Sequence, residues 1–309
     1  MIVSDQVIMN NIHFFDNVFT KYHRKIKFCY IIILSYFLNV YMRIGCIASH
    51  KNDKSTKLLQ VILEMYPDFV MMDGLSTIGE FDLDVIIALG GDGFVLRVLH
   101  KIITYSKTTK VYGINCGNLG FLLNNFDQSK GDLIDRIYNA IPVKLSPLKV
   151  EMEDRSGKTH SVHAINEISL IRQTYQAVSV KVTVDGVVKL YNLVGDGVLL
   201  ATGAGSAAYN LSAGGVIVPL ESHLLTMTAI NPFRPRGWHR AILLDKVVVE
   251  FEVLDDVKRP VLACADFHQF YFIRSVKASI DKNVSYHLLF DEESHLGDKI
   301  MDEQFLHCS

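Results

Sequence analysis

The stretch "DVIIALGGDGFVLRVLH", Asp84 to His100, decides the fold. The unbroken apolar run Val85 to Leu89 reads as a strand covered on both faces, as in a parallel sheet. Three glycines and one acid follow: Gly90, Gly91, Asp92 and Gly93. From Phe94 the apolar residues recur at helical spacing. Strand, glycine turn and helix form the unit of an open α/β sheet, whose ligands sit at the carboxyl ends of the strands. Glycines there let the backbone approach a ligand, and successive N–H groups ahead of a helix favour phosphate. A carboxylate in such a place has two readings. Asp92 takes a proton from a hydroxyl or holds Mg²⁺ beside a phosphate. Alternatively it caps the helix that begins near Phe94.

The same pattern continues on either side. "MRIGCIA" from Met42 is a strand, and "DKSTKLLQVILEMYP" puts Leu58, Leu59, Ile62, Leu63 and Tyr66 on one helical face. "KVYGINCG" is another strand and "SKGDLIDRIYNAI" another helix. Alternating β and α predicts a doubly wound parallel sheet over residues 42–147. After Pro147 the texture becomes strand-like, with Asp-Gly and Ser-Gly turns, which predicts an all-β domain over 148–275. Residues 276–309 form a final segment ending in a short helix.

Bulk properties bound the function. With 309 residues, 49% of them hydrophobic, the chain can bury a large core and form two domains. Lys and Arg number 31 against 33 Asp and Glu, which gives no electrostatic footprint for nucleic acid. Five scattered cysteines fit a reducing cytosol. There is no P-loop, HExxH, zinc spacing or G-x-S-x-G elbow, and no residue is assigned as a metal ligand. Most of the twelve histidines are expected at surface or structural positions. The segment "KYHRKIKFCYIIILSYFLNVYMRIG" holds an apolar run from Phe28 to Tyr41, shorter than the roughly 20 residues of a membrane span. It lacks a signal-cleavage site, so residues 1–41 read as an upstream extension without a role in the fold. A weak membrane association or an extra helix are the other readings.

Three further stretches carry polar residues among small or apolar ones. "YGINCGNLGFLLN" (112–124) repeats the strand and spaced glycines, and two such turns on neighbouring strands would line one cleft. In "HAINEISLIR", Asn166 and Glu167 point to opposite faces of a strand, so both serve one ligand only at a bend or strand end. The other reading there is a solvated edge. "VGDGVLLATGAGSAAYNLSAGG" (194–215) matches G-x-G-x-x-A at residues 203–208, but its β-rich surroundings argue against a Rossmann unit. Its small residues let backbone approach a flat ligand, with Tyr209 to stack or hydrogen-bond and Asn210 and Ser212 as polar partners. A small-residue helix start against the sheet is the plainer alternative.

Taken together and in order, G-G-D-G, N-x-G-x-L-G-F-L (115–122), N-E, D-G-x-x-x-x-T and G-S-x-A-Y-x-L-S-A-G-G resemble the NAD kinase family, with "INPFRPRGWHRAILL" and "LLFDEESH" similar to bacterial, alphaproteobacterial-like members. The resemblance implies transfer of the ATP γ-phosphoryl group to the adenosine ribose 2′-OH of NAD, with Mg²⁺, in a cytoplasmic homodimer or homotetramer. It implies an α/β domain and a β-sandwich-like domain whose last segment returns to the first. By position it makes Asp92 the general base, with Gly91, Gly93 and Arg97 beside the nucleotide and Phe121 near the adenine. It makes Asn166 and Glu167 ligands of the adenosine half and puts Asp196 near the nicotinamide. Thr202, Ala204, Ala207, Ala208, Tyr209, Asn210 and Ser212 line the adenine and ribose region. Phe94, Gly203, Ala204 and Ala207 depart from the common motifs, and Gly203, where the family has proline, predicts a looser ligand loop. The rivals are a lipid kinase sharing G-G-D-G and a non-catalytic NAD(P) sensor.

Overall fold

The computed structural model describes residues 42–105, 108–117, 120–127, 129 and 131–292. The expectations for residues 1–41 and for a terminal helix lie outside the described residues. Among the described residues no helix is long and apolar enough to cross a membrane.

Strands β1 (Ile44–Ala48), β2 (Val70–Met71), β3 (Val85–Gly90) and β4 (Lys110–Asn115) run parallel in the order β2-β1-β3-β4. Helices α1 (Asp53–Met65), α2 (Asp92–Tyr105) and α3 (Leu133–Asn139) alternate with them. Every residue of β3 is buried, which is why the sequence shows no polar alternation there. The Asn52 side chain caps α1 by accepting from the amides of Lys54 and Ser55, and the helix buries Leu59 and Ile62. Helix α2 buries Val95, Leu96, Val98, Leu99 and Ile102, the stripe its periodicity predicts.

Helix α3 is shorter than its sequence pattern. It ends at Asn139, and Ile141 instead opens β5 (Ile141–Leu145). Pro142 explains the difference, because the residue before a proline is pushed out of the helical region.

From residue 148 the chain is almost all strand. Strands β6 (Leu148–Asp154), β7 (Thr159–Ala164), β8 (Glu167–Arg172), β9 (Val178–Val184), β10 (Val187–Gly195) and β11 (Gly197–Ala201) come first. The one-turn helix α4 (Tyr209–Ser212) follows. Then come β12 (Leu224–Ile230), β13 (Arg240–Leu244), β14 (Val249–Val253), β15 (Val261–Ala265), β16 (His268–Tyr271) and β17 (Ile273–Ile280). They form two antiparallel sheets, β10-β9-β14-β17-β6-β7 and β13-β12-β11-β8-β15-β16. Alternate residues of both meet in one core that includes Val150, Leu170, Val180, Leu200, Met227, Phe251 and Ala263, so the second half is a β-sandwich. The last strand, β18 (Tyr286–Phe290), returns to the first sheet, parallel to β4 and antiparallel to β5. The expected boundary at 147/148 falls at the start of β6, and that at 275/276 falls inside β17.

The chain crosses from one sandwich sheet to the other at two corners that matter below. Ile165 and Asn166 separate β7 from β8, and Asp196 separates β10 from β11. The core of the first sheet also takes in Ile165, Ala204 and Leu220 from the β-rich half. The corner at 165 and the loop after β11 are therefore packed onto the α/β layer.

Candidate active site

Asp92 is the first residue of α2 and follows the carboxyl end of β3. Its carboxylate reaches across to the neighbouring strand's loop, accepting from Phe121 N and Leu122 N at 3.0 Å each. Both bonds are charge-assisted and fix the orientation of the group. The side chain is half-buried, and these bonds run to the second glycine-rich loop, not along its own helix. Added side-chain atoms at Gly91 or Gly93 would meet nothing within 4 Å, so the flanks of Asp92 open onto free space. Two amides thus hold the carboxyl at the open glycine turn.

Arg97, one turn along α2, is exposed and lies 4.7 Å from the Phe267 ring centroid. Residues 118 and 119 of the second loop lie outside the described residues; Phe121, half-buried, gives its amide to Asp92.

Asn166 and Glu167 lie at the first sheet-crossing corner, Asn166 in the bend and Glu167 as the first residue of β8. Asn166 Oδ1 and Glu167 Oε2 are buried and have no hydrogen-bond partner among the described residues. Buried polar atoms are ordinarily hydrogen-bonded, so two such atoms on adjacent residues stand out. Burial, and next the carboxylate of Asp266, push the Glu167 pKa up from its usual 4.5 to about 8.

Asp266 is a residue that sequence reasoning missed. Its oxygens accept from Ile165 N at 2.7 Å, Asn166 N at 2.9 Å and Glu167 N at 3.1 Å, and it pairs with His100 Nε2 at 2.6 Å. Its backbone sits in the left-handed region at φ 50°, between β15 and β16. An Asp in a short turn between strands ordinarily reads as a solvated turn residue, and only the fold reveals that this one turns inward.

Asp196, at the second corner, accepts from Asn231 Nδ2 at 2.9 Å and Arg172 Nε at 2.6 Å. The Asn231 amide first, and the Arg172 guanidinium with it, hold its carboxyl below the usual range. The Tyr209 phenol is pushed up by burial first and then by the acidic groups of Cys264, Glu167 and Asp196, each of which lies within electrostatic reach of it.

The loop from 202 to 215 is built around backbone approach. A Cβ on Gly205 would lie 2.2 Å from Asn166 O, so only glycine lets the loop close on the corner. Thr202 is buried, with N and Oγ1 donating to Asn166 O at 2.9 Å and Ile165 O at 2.7 Å. Ala204 is buried in the α/β core. Asn210 is also buried: its Nδ2 donates to Ser206 O and Val216 O, and its Oδ1 accepts from Thr228 Oγ1. Thr202, Ala204 and Asn210, expected as ligand contacts, are buried, and the side chains of Thr202 and Asn210 are hydrogen-bonded within the protein. Ala207, Ala208 and Tyr209 are half-exposed and Ser212 is exposed. Gly203 also has a local reason. A Cβ there would come within 2.8 Å of Leu220 O, so this loop has no room for a side chain at 203 without a shift.

Comparison with known proteins places this arrangement. The family model of the ATP-NAD kinase N-terminal domain matches residues 33–140. The NAD kinase of Rhizorhabdus wittichii is 48% identical over 223 residues, covering 72% of this chain and 86% of that protein. The chain belongs to the NAD kinase family. The NAD kinase of Rickettsia peacockii is 40% identical over 263 residues, 85% of this chain and 98% of the relative. Two solved structures share the NAD kinase fold. Yeast NADH kinase complexed with NADH superposes with a TM-score of 0.71 at 20% identity, over 87% of this chain and 89% of the yeast chain. An NAD kinase from Archaeoglobus fulgidus in complex with ATP gives 0.65 at 21%, over 84% and 99%.

Proposed function

We propose that this member of the family transfers the γ-phosphoryl group of ATP to the adenosine ribose 2′-OH of NAD, giving NADP and ADP. The observation that carries this reading is the Asp92 carboxylate, held by two amides at the carboxyl end of β3 with open space on both glycine flanks. A ribose hydroxyl is a weak nucleophile at neutral pH. As its oxygen bonds to the γ-phosphorus, its proton passes to Asp92, and the bond from that phosphorus to the β,γ-bridging oxygen breaks to release ADP. Such a base contributes on the order of 10²–10⁴-fold. The amides of Phe121 and Leu122 orient the carboxylate toward the incoming hydroxyl.

Gly91, Gly93 and the start of α2 take the donor phosphates in this reading, with Arg97 at their rim. Asn166 and Glu167 hold the adenosine half of NAD through the two oxygens that lack partners. With its pKa near 8, Glu167 is protonated at neutral pH and donates a hydrogen bond to the sugar or base. Phe121, Ala207, Ala208, Tyr209 and Ser212 line the adenine and ribose, and Asp196 lies toward the nicotinamide. Among the described residues no group of three or more His, Cys, Asp or Glu could hold a metal ion. These residues do not build a metal cage, so Mg²⁺ enters as the companion of the donor triphosphate and no step is assigned to it. The reading also includes a homodimer or homotetramer and a reducing cytosol; Cys46, Cys116 and Cys264 are free thiols.

The test is incubation of the purified chain with ATP, Mg²⁺ and NAD, with NADP read by an NADP-specific dehydrogenase. Steady NADP formation is expected. NAD binding without product would favour a sensor, and phosphorylation of diacylglycerol or sphingosine instead would favour a lipid kinase.

A further inference from the structure

Helix α2 carries two polar residues aimed at the site from different ends. Asp92 stands at its start. His100 stands eight residues later, about 12 Å along the axis at the usual rise. The buried face between them is packed into the first core, so the helix acts as a rigid rod. At the far end His100 Nε2 meets Asp266 Oδ2 at 2.6 Å, with side-chain exposures of 11% and 0%. Asp266 in turn gathers the amides of Ile165, Asn166 and Glu167. One continuous chain of contacts thus runs from the helix that starts with Asp92 to the corner that presents Asn166 and Glu167.

We propose that His100 and Asp266 are positioning residues that set the acceptor-binding corner at a fixed place relative to the base-bearing helix. This rests on the reading of Asn166 and Glu167 as NAD ligands. Two features set the contact apart from ordinary packing. Asp266 holds a left-handed backbone that L side chains rarely adopt, so its inward turn is kept at a conformational cost. Its four side-chain hydrogen bonds include three to the consecutive residues that form the corner, two of which carry the buried oxygens without partners among the described residues. The surroundings of His100 are the Phe267 and His268 rings, with centroids 4.8 and 5.4 Å away, and Arg97 lies over the Phe267 ring. That aromatic wall fixes the imidazole plane, and with it the direction of the Nε2 bond to Asp266.

The consequence is specific to one substrate. Loosening the corner weakens the hold on NAD, whereas the donor phosphates rest on the glycine turn at the other end of the rod. In steady-state assays, His100→Ala is expected to raise KM for NAD on the order of tenfold, the worth of one charge-assisted hydrogen bond, with KM for ATP within about twofold. His100→Gln offers a donor at nearly the same reach and returns KM for NAD to within about threefold of the wild type, the residue of a less rigid hydrogen bond. His100→Asn, one methylene shorter, behaves like alanine, so the Gln and Asn pair carries the test even if the alanine variant does not fold.

Unchanged KM for NAD in His100→Ala and His100→Asn would overturn the inference. So would KM for both substrates rising together, or no rescue by glutamine, since either is what a merely structural contact gives. Asn166→Ala serves as the control. If it leaves KM for NAD unchanged, the ligand assignment fails. If it raises KM while the His100 variants do not, the assignment stands and the positioning role fails.

Discussion

Glu167→Gln gives a prediction whose size follows from the burial of one carboxyl. The Glu167 pKa is raised from 4.5 to about 8, by burial first and by Asp266 second. Between those values the folded chain keeps a proton that the unfolded chain has released. Folding stability contributed by this group is therefore whole below about pH 4.5 and is lost as pH climbs through about 8. At ~1.4 kcal/mol per pH unit the complete swing is at most about 5 kcal/mol. Glutamine keeps the shape and cannot ionise. The variant should match the wild type near pH 4.5 and gain on it steadily, reaching about 3–5 kcal/mol of relative stability by pH 8. Urea unfolding from pH 5 to 9, followed by the fluorescence of Trp238, the single tryptophan, measures this directly. Every other titrating group is common to both chains, and those not coupled to Glu167 cancel in the difference. A stability difference that stays constant across that pH range would refute the reasoning.

Two further variants probe the loop that closes on the corner. Gly205→Ala puts a Cβ 2.2 Å from Asn166 O, and backbone cannot swing aside as a side chain end would. The expected cost is about 1–3 kcal/mol, seen as a lower unfolding midpoint together with a higher KM for NAD. Asn210→Ala strips the partners from Ser206 O, Val216 O and Thr228 Oγ1 in a buried setting, at about 2–4 kcal/mol, or a midpoint lower by roughly 4–12 °C.

Much of this was legible before the fold. The apolar run at Val85 to Leu89 and the glycine turn after it fix a parallel strand and its ligand edge, because full burial of β3 leaves no polar alternation. The rule that Asn166 and Glu167 can act together only at a bend anticipated the corner between β7 and β8. Local patterns did not reveal which polar residues face inward. Thr202 and Asn210 look like ligand donors in a string of small residues, yet both are spent on backbone carbonyls or hydroxyls inside the protein. Asp266 and His100 were hidden for the opposite reason. They are separated by 166 positions, and their meeting depends on β15 lying beside β8 and on α2 packing under that corner. Helix α3 was read too long because its apolar spacing continues to Ile141, where Pro142 ends it.

The account turns on Asp92 as the group that takes the hydroxyl proton. Asparagine at 92 keeps the size and one acceptor for the amides of Phe121 and Leu122 but cannot carry that proton. Side-by-side measurement of NADP formation and of equilibrium NAD binding for Asp92→Asn is the most direct test. We predict turnover lower by at least ~10²-fold, with the NAD dissociation constant within about threefold of the wild type. Turnover close to that of the wild type, with NAD bound normally, would contradict the central claim.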